Sequence, residues 1–252
     1  SYVSVEESLS DGNLPGRGIS HAIPKHGMII VTGASRGLGR AVTERLLDAG
    51  HEVLGISREA EGLPFETVPC DVSDYDAVKS IAQNLRKRKI EVHGLINAAG
   101  IASMNLAVTT PPSMTQKLIQ TNLVGTIHCC QLFAPLMIRR KSGSIINFST
   151  IAVALGLKGE SIYAASKAGV EGFSRAFARE MADFDIRVNC VAPGPIKTDL
   201  LKGVSDEQIE AIVSQQVLPK IFRPGDVCDL CEFLVSPKSS SLSGQTMHVG
   251  GV

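Results

Sequence analysis

Two side chains that could carry proton transfer, Tyr163 and Lys167, lie four residues apart in a stretch with helical spacing. They would share one face of the helix, since residues i and i+4 are neighbours there. A lysine ammonium close to a phenol favours the phenolate and lowers the tyrosine pKa from its ordinary value of about 10. Such a tyrosine is a general acid for a carbonyl oxygen that receives hydride, or a base in the reverse direction. We interpret the other two tyrosines, Tyr2 and Tyr75, as surface residues.

A glycine-rich segment, Gly33-Ala34-Ser35-Arg36-Gly37-Leu38-Gly39, lies between the first predicted strand and the first predicted helix. Glycines there permit a tight turn and let the backbone approach a pyrophosphate, and the helix N-terminus offers free N–H groups to the anion. In this strand–turn–helix context the segment predicts a dinucleotide-binding loop. Its glycine spacing is GxxxGxG rather than the commoner GxGxxG.

The elements that would position these residues alternate along the chain from Met28 onwards. The predicted strands are 28–31, 52–56, 67–68, 95–96, 144–148, 186–191 and 246–249, and the predicted helices are 37–49, 74–86, 113–140, 161–184, 205–217 and 226–235. Uninterrupted apolar strands alternating with helices are typical of a parallel sheet covered on both faces. We predict an α/β fold of the Rossmann type, a doubly wound parallel sheet of about seven strands flanked by helices on both faces. Residues 26–252 would form a single domain and residues 1–25 an N-terminal arm.

The order of the motifs resembles that of the short-chain dehydrogenase/reductase family. Besides the glycine loop and the Tyr–Lys pair, the matching segments are Cys70-Asp71-Val72, Asn97-Ala98-Ala99-Gly100, Asn122 and Pro193-Gly194-Pro195-Ile196. Within the family, segments 204–208 and 242–249 are most similar to β-ketoacyl-acyl carrier protein reductases and related carbonyl reductases.

This resemblance implies a catalytic set and an NADP(H) site. Tyr163 would donate the proton, Lys167 would also hydrogen-bond the nicotinamide ribose, and Asn122 would hold a proton-relay water. The implied cofactor-binding residues are Gly33, Ala34, Ser35, Arg36, Gly37, Leu38, Gly39, Arg58, Asp71, Val72, Asn97, Ala98, Gly100, Tyr163, Lys167, Pro193, Ile196 and Thr198.

The substrate-orienting hydroxyl departs from the family pattern. The family has a serine thirteen positions before the tyrosine, and that position holds Thr150, with Ser149 beside it. A threonine retains the hydroxyl donor, while its methyl group narrows the pocket. We therefore predict Thr150 as the fourth catalytic residue. Ser149 would replace it only if the backbone shifts register, and a purely structural role for Thr150 stays open.

The end of the second strand predicts a preference for NADPH. Relatives that use NAD place an acidic residue there, where it binds the ribose 2′-hydroxyl. Here the strand ends in Ser57-Arg58, and Glu59 comes only afterwards. Arg36 and Arg58 could bracket a 2′-phosphate with charge-assisted hydrogen bonds, the alternative being two surface arginines.

Composition excludes several classes of function. The chain of 252 residues has 25 basic and 25 acidic residues and no tryptophan, which argues against a nucleic-acid partner. We found no apolar run of the roughly 18 residues that a membrane span needs, and expect a cytoplasmic protein. Six scattered histidines never show ligand spacing, so no metal is predicted. Cys228 and Cys231 are interpreted as buried core thiols, with a redox pair as the alternative.

The resemblance also implies a substrate and an assembly. We expect reduction of a 3-oxoacyl thioester, on acyl carrier protein or coenzyme A, by a homotetramer. Segments 151–155 and 196–201 could line an acyl groove or could equally pack against the core. The segment Arg139-Arg140-Lys141 is either a solvated helix end or a docking patch for the carrier. Two other hypotheses stay open, a reductase of another small carbonyl or secondary alcohol and a non-catalytic nucleotide-binding regulator.

Overall fold

The computed structural model describes residues 27–196 and 205–252, whose seven strands form one parallel sheet. The strands are β1 (Met28–Thr32), β2 (Glu52–Ser57), β3 (Thr67–Pro69), β4 (Val92–Asn97), β5 (Gly143–Phe148), β6 (Ile186–Pro193) and β7 (Thr246–Val249). Their order across the sheet is β3-β2-β1-β4-β5-β6-β7, and every neighbouring pair is parallel. The order reverses between β1 and β4, which opens a crevice at the carboxyl ends of these strands. The predicted doubly wound parallel sheet is confirmed.

Helices cover both faces of the sheet. They are α1 (Gly37–Asp48), α2 (Tyr75–Lys87), α3 (Pro112–Leu118), α4 (Gly125–Ile138), α5 (Ala152–Leu155), α6 (Ser161–Met181), α7 (Asp206–Val213) and α8 (Pro224–Val235). Single 3₁₀ turns lie at Ala107–Thr109, Ala182–Phe184 and Pro237–Ser239. Helix α7 is shorter than the predicted helix 205–217, because it ends at Val213. It begins after Ser205, and the side chains of Ser205 and Gln208 form a capping box.

The core consists of two apolar clusters, one on each face of the sheet. Side chains of successive strand residues point to opposite faces, so Ile30 packs in the cluster with α2, α4 and α6, while Ile29 and Val31 pack with α1 and α8. A strand covered on both sides needs apolar residues at every position, and all five residues of β1 are buried. The six cysteines are all free and buried, so the interpretation of Cys228 and Cys231 as core thiols is confirmed.

The long helix predicted over 113–140 is interrupted by a π-helical segment, Ile119–Val124, between α3 and α4. There the Gly125 N–H donates to the Gln120 carbonyl, five residues back instead of four. Such π segments are frequent at functional sites, and this one holds Asn122. The prediction of one regular helix is therefore wrong at its centre. The sequence did not reveal the interruption because the residues on either side of the π segment each keep the apolar spacing of an α-helix.

Helical residues Pro112–Ile138 are together long and apolar enough to cross a membrane. This differs from the expectation that no segment of the chain has the length and composition of a membrane span. Their apolar side chains are used within the fold, since Phe133 and Met137 of α4 are fully buried in the cluster with α2 and β4. This is the packing of a core helix. Length and composition alone are thus weak evidence for a span.

Candidate active site

A deep cleft lies at the carboxyl ends of the strands, where the sheet order reverses. Most of the predicted site residues line it: Gly33, Ser35, Arg36, Gly37, Leu38, Gly39, Arg58, Asp71, Val72, Ala98, Gly100, Thr150, Tyr163, Lys167, Pro193 and Ile196. Thr198 lies outside the described residues. The three other predicted residues, Ala34, Asn97 and Asn122, are buried behind the wall of the cleft.

Ala34 and Asn97 have packing roles that the motif did not reveal. Ala34 is fully buried in the apolar cluster with α1 and α8. The Asn97 amide donates to Oδ1 of Asn147 at 2.8 Å and to the Cys130 sulfur at 3.4 Å. The Asn147 amide in turn donates to Ser174 at 2.8 Å, which joins β4 and β5 to α6. The side chains of Ala34 and Asn97 are thus turned into the core, and the assignment of these residues to the cofactor site stays a prediction.

The glycine loop forms a cradle that larger residues would fill. At Gly33, where φ is +70°, a Cβ atom would lie 2.8 Å from the backbone of Ala99. At Gly39 a Cβ would collide with the Gly33 carbonyl, so α1 can approach β1 only with glycine there. No side chain caps the N-terminus of α1, and its first-turn N–H groups have no partner within the helix. This is the geometry that binds a pyrophosphate.

Two arginines stand at the end of the cleft beside this loop. Arg36 is the N-cap residue of α1 and Arg58 follows β2, and both are exposed and line the cleft. Within residues 27–196 and 205–252 neither arginine forms an ion pair. Glu59 lines the same end, and its backbone carbonyl accepts a hydrogen bond from Ser57. The cradle, the uncapped helix and the free cations together fit an anionic dinucleotide.

Thr150 and Ser149 have different partners. The Thr150 side chain lines the cleft beside Tyr163, close enough to influence the ionisation of its hydroxyl. The Ser149 hydroxyl donates to Oε1 of Glu171 on α6 at 2.5 Å. The structure therefore brings Thr150, not Ser149, to the tyrosine, in the register that the thirteen-residue count predicts.

The pKa values of Tyr163 and Lys167 are set mainly by burial. Burial, with a smaller effect of the nearby Glu160 carboxylate, raises the pKa of Tyr163 well above 10, and the Thr150 side chain only partly offsets this. Burial lowers the pKa of Lys167 to about 8, and its Nζ donates to the Phe148 carbonyl at 2.8 Å. The expected lowering of the Tyr163 pKa by Lys167 is wrong for this structure, because desolvation of the phenolate dominates and the ammonium is engaged elsewhere.

Asn122 ties the cleft wall to α6. Its Oδ1 accepts from the Ile101 N–H at 2.8 Å, and its amide donates to the Ile101 carbonyl at 2.9 Å and to Ser166 Oγ at 3.0 Å. Both amide hydrogens are thus used by protein acceptors. The side chain positions the loop after β4 against α6, one helical turn from Tyr163.

Glu160, which the motifs did not indicate, stands at the N-cap position of α6 without a side-chain capping bond and lines the cleft close to Tyr163. It is 8% exposed, and burial raises the pKa of its carboxyl. Its spacing of three residues before Tyr163 was a usable signal, since residues i and i+3 are neighbours in a helix. The cleft also has apolar lining residues on this side, namely Ile101, Met104, Ile151, Leu157, Ile196 and Ile212.

Comparison with known proteins agrees with this geometry. Residues 33–251 match the family model described as enoyl-(acyl carrier protein) reductase. The 3-oxoacyl-[acyl-carrier-protein] reductase of Staphylococcus aureus strain Mu50 is 36% identical over 235 residues, 88% of this chain and 96% of that protein. The enzyme of the same name from Salmonella typhimurium is 33% identical over 231 residues, 88% and 95% of the two chains.

Solved structures show the same fold. The ligand-free aldohexose dehydrogenase of Thermoplasma acidophilum superposes with a TM-score of 0.81 at 30% identity, covering 90% of this chain and 93% of that one. A structure of ElxO with NADP bound gives a TM-score of 0.82 at 28% identity and covers 89% and 97%. The family match spans most of the chain, and the two reductases are more than 30% identical to it. The chain therefore belongs to the short-chain dehydrogenase/reductase family of oxidoreductases, the family that its motifs resemble.

Proposed function

We propose that the protein is an NADPH-dependent ketone reductase whose substrate is a 3-oxoacyl thioester, carried by acyl carrier protein or coenzyme A and reduced to the 3-hydroxyacyl product. The observation that carries the proposal is that Thr150, Tyr163 and Lys167 line one cleft together with the glycine loop. The names of the Staphylococcus aureus and Salmonella typhimurium reductases support the thioester as substrate.

The roles of the residues follow from their positions. The bound cofactor supplies hydride to the ketone carbon. Tyr163 gives its proton to the ketone oxygen, and its raised pKa keeps it protonated at neutral pH. Thr150 donates a second hydrogen bond to this oxygen as negative charge develops on it. Lys167, buried beneath Gly100, would bind the nicotinamide ribose.

Arg36 and Arg58 would bind the 2′-phosphate of NADPH, and the uncapped first turn of α1 its pyrophosphate. A guanidinium is planar and permanently charged, which suits it to a phosphate. The acidic residue that favours NAD is absent from the last position of β2, where Ser57 stands.

We do not propose the basic segment 139–141 as a docking patch for the acyl carrier protein. Arg140 pairs with Glu91 at 2.7 Å, just before β4 begins. This contact is at the amino end of the sheet, opposite to the cleft. The structure therefore favours the solvated helix end over the docking patch. We retain as proposals a single catalytic domain over 26–252, a homotetramer and a cytoplasmic location.

The test is a panel of substrates with both reduced nicotinamides. We expect acetoacetyl-coenzyme A and an acetoacetyl carrier protein to be reduced with a higher kcat/KM than simple ketones, quinones and aldoses, and NADPH to be preferred. Tyr163→Phe should abolish turnover while cofactor binding, followed by calorimetry, persists. If kcat/KM for the small carbonyls exceeds that for the thioesters by more than tenfold, the thioester proposal is wrong.

A second candidate is oxidoreduction of a small carbonyl or secondary alcohol such as a sugar. It is favoured by the similarity to the aldohexose dehydrogenase, which matches at 30% identity over nine-tenths of the chain. The same panel distinguishes the two candidates. Lack of turnover with all substrates, together with tight NADPH binding, would instead indicate the nucleotide-binding regulator.

A further inference from the structure

The substrate side of the cleft contains one carboxylate that the proposed reaction does not use. Glu160 is 8% exposed and lines the cleft at the N-terminus of α6. Among residues 27–196 and 205–252, its side chain has no hydrogen bond and no ion pair. The other acidic lining residues, Glu59 and Asp71, follow β2 and β3 at the opposite end of the cleft, on the side of Arg58.

Among residues 27–196 and 205–252, no cation forms an ion pair with Glu160. Lys167 also lines it, but its Nζ is held by the Phe148 carbonyl at 2.8 Å. The side chains around Glu160 are mostly apolar, including Ile151 and Leu157. A carboxylate in such surroundings is poorly screened, so its field acts on whatever enters the cleft.

The field of Glu160 reaches the reacting centre. Its charge disfavours ionisation of the Tyr163 hydroxyl, the group that would touch the ketone oxygen. In a 3-oxoacyl substrate the carboxyl carbon is only two bonds from the ketone carbon. A substrate whose ketone oxygen contacts Tyr163 would therefore carry its carboxyl group on the same side of the cleft as Glu160.

We propose that Glu160 is a specificity-determining residue that rejects free 3-oxo acids, so that the cleft accepts 3-oxo compounds only when their carboxyl group is masked as a neutral thioester or ester. A free 3-oxo acid brings a second negative charge into a cleft that already holds an unpaired one. The thioester of the same acid is neutral, and the amide N–H groups of its pantetheine arm can donate to Glu160. The inference rests on the proposed ketone reduction and names the charge of its substrate.

The experiment compares a charged and a neutral ligand that share one carbon skeleton. The kcat/KM values for acetoacetate and for its N-acetylcysteamine thioester are measured in the wild type, in Glu160→Gln and in Glu180→Gln. Gln keeps the size and polarity of the side chain while removing the charge. Glu180 is an exposed residue on α6, far along the helix from the cleft, and serves as the matched control.

We expect Glu160→Gln to raise the efficiency for acetoacetate relative to the thioester by at least tenfold, the factor expected for two like charges roughly 12 Å apart at an effective protein dielectric of about 20. Glu180→Gln should leave the ratio unchanged. A structural role for Glu160 would lower both efficiencies together and leave their ratio unmoved. An unchanged ratio in Glu160→Gln therefore overturns the proposal.

Binding gives a readout that does not depend on turnover. The dissociation constants of acetoacetate and of methyl acetoacetate are measured by NMR titration of the same three proteins. We expect the preference for the ester to fall only in Glu160→Gln. If the wild type binds with this preference but reduces neither compound, the proposed reaction fails while the role of Glu160 stands. Equal affinity of the wild type for acid and ester refutes the role of Glu160.

Discussion

Thr150 and Ser149 are adjacent hydroxyl residues, and we expect their removal to have opposite consequences. Thr150→Val keeps the shape of the side chain and removes the hydroxyl that lines the cleft beside Tyr163. If that hydroxyl donates to the ketone oxygen in the transition state, its loss should lower kcat by about 10²- to 10³-fold, the usual effect of deleting one such donor. Stability should fall by only about 1 kcal/mol, since the bond lost is that from the Ala152 N–H at 3.2 Å.

Ser149→Ala acts on a different bond. Ser149 is 4% exposed and donates to the Glu171 carboxylate at 2.5 Å. A hydrogen bond to a charged group contributes about 1.5–3 kcal/mol, and its removal leaves part of the carboxylate without a donor. We expect the free energy of unfolding to fall by about 2 kcal/mol while kcat changes by less than threefold, a small factor beside the loss expected for Thr150→Val.

The assays are steady-state reduction of an acetoacetyl thioester and urea unfolding followed by circular dichroism. Each variant is the control for the other, because the two residues share one loop. The reasoning is refuted by equal losses of kcat, or by a larger loss in Ser149→Ala. In either case Thr150 would not be the group that faces the substrate.

Three further predictions follow from the described geometry. Arg58→Ala, alone or with Arg36→Ala, should raise KM for NADPH about tenfold and leave KM for NADH nearly unchanged, since only NADPH carries the 2′-phosphate; a wild type that uses NADH as efficiently as NADPH would contradict this. Burial lowers the pKa of Lys167 from 10.5 to about 8. Below pH 8 the buried ammonium therefore reduces the free energy of unfolding, and this reduction disappears as the pH rises towards 10.5. The difference in unfolding free energy between wild type and Lys167→Met should therefore shift by up to about 3 kcal/mol in favour of the wild type between pH 7 and pH 10, as measured by urea titration, and a constant difference would show that Lys167 is not desolvated. Gly39→Ala should destabilise the protein by about 1–3 kcal/mol because its Cβ meets the Gly33 carbonyl, whereas Gly172→Ala, in an exposed turn of α6 with no atom near the new Cβ, should stabilise it by about 0.5–1 kcal/mol. The melting temperatures of Gly39→Ala and Gly172→Ala are measured by thermal unfolding. Equal values would mean that the glycine loop does not approach α1 closely.

The sequence by itself determined the fold class and most of the cleft. Strands buried on both faces are mostly apolar, so β1 and β5 are visible as short, mainly apolar runs between amphipathic helices. The glycine loop is also local, because a left-handed or close-packed backbone position requires glycine whatever surrounds it. The Tyr163–Lys167 spacing within one helix, and the count from Thr150 to Tyr163, likewise depend on residues near one another in the chain.

Which side chains face the cleft, and what pKa values they have, depends on contacts between residues that are far apart in the chain. Asn97 and Asn122 stand in motifs, yet their amides bond to Asn147 and Ile101, partners 50 and 21 residues away. Burial, which sequence spacing does not encode, raises the pKa of Tyr163 against the direction expected from its lysine neighbour. Glu160 enters the site for the same reason. Whether a carboxylate near a helix start is solvated or enclosed depends on the elements packed around it, and here they enclose it close to Tyr163.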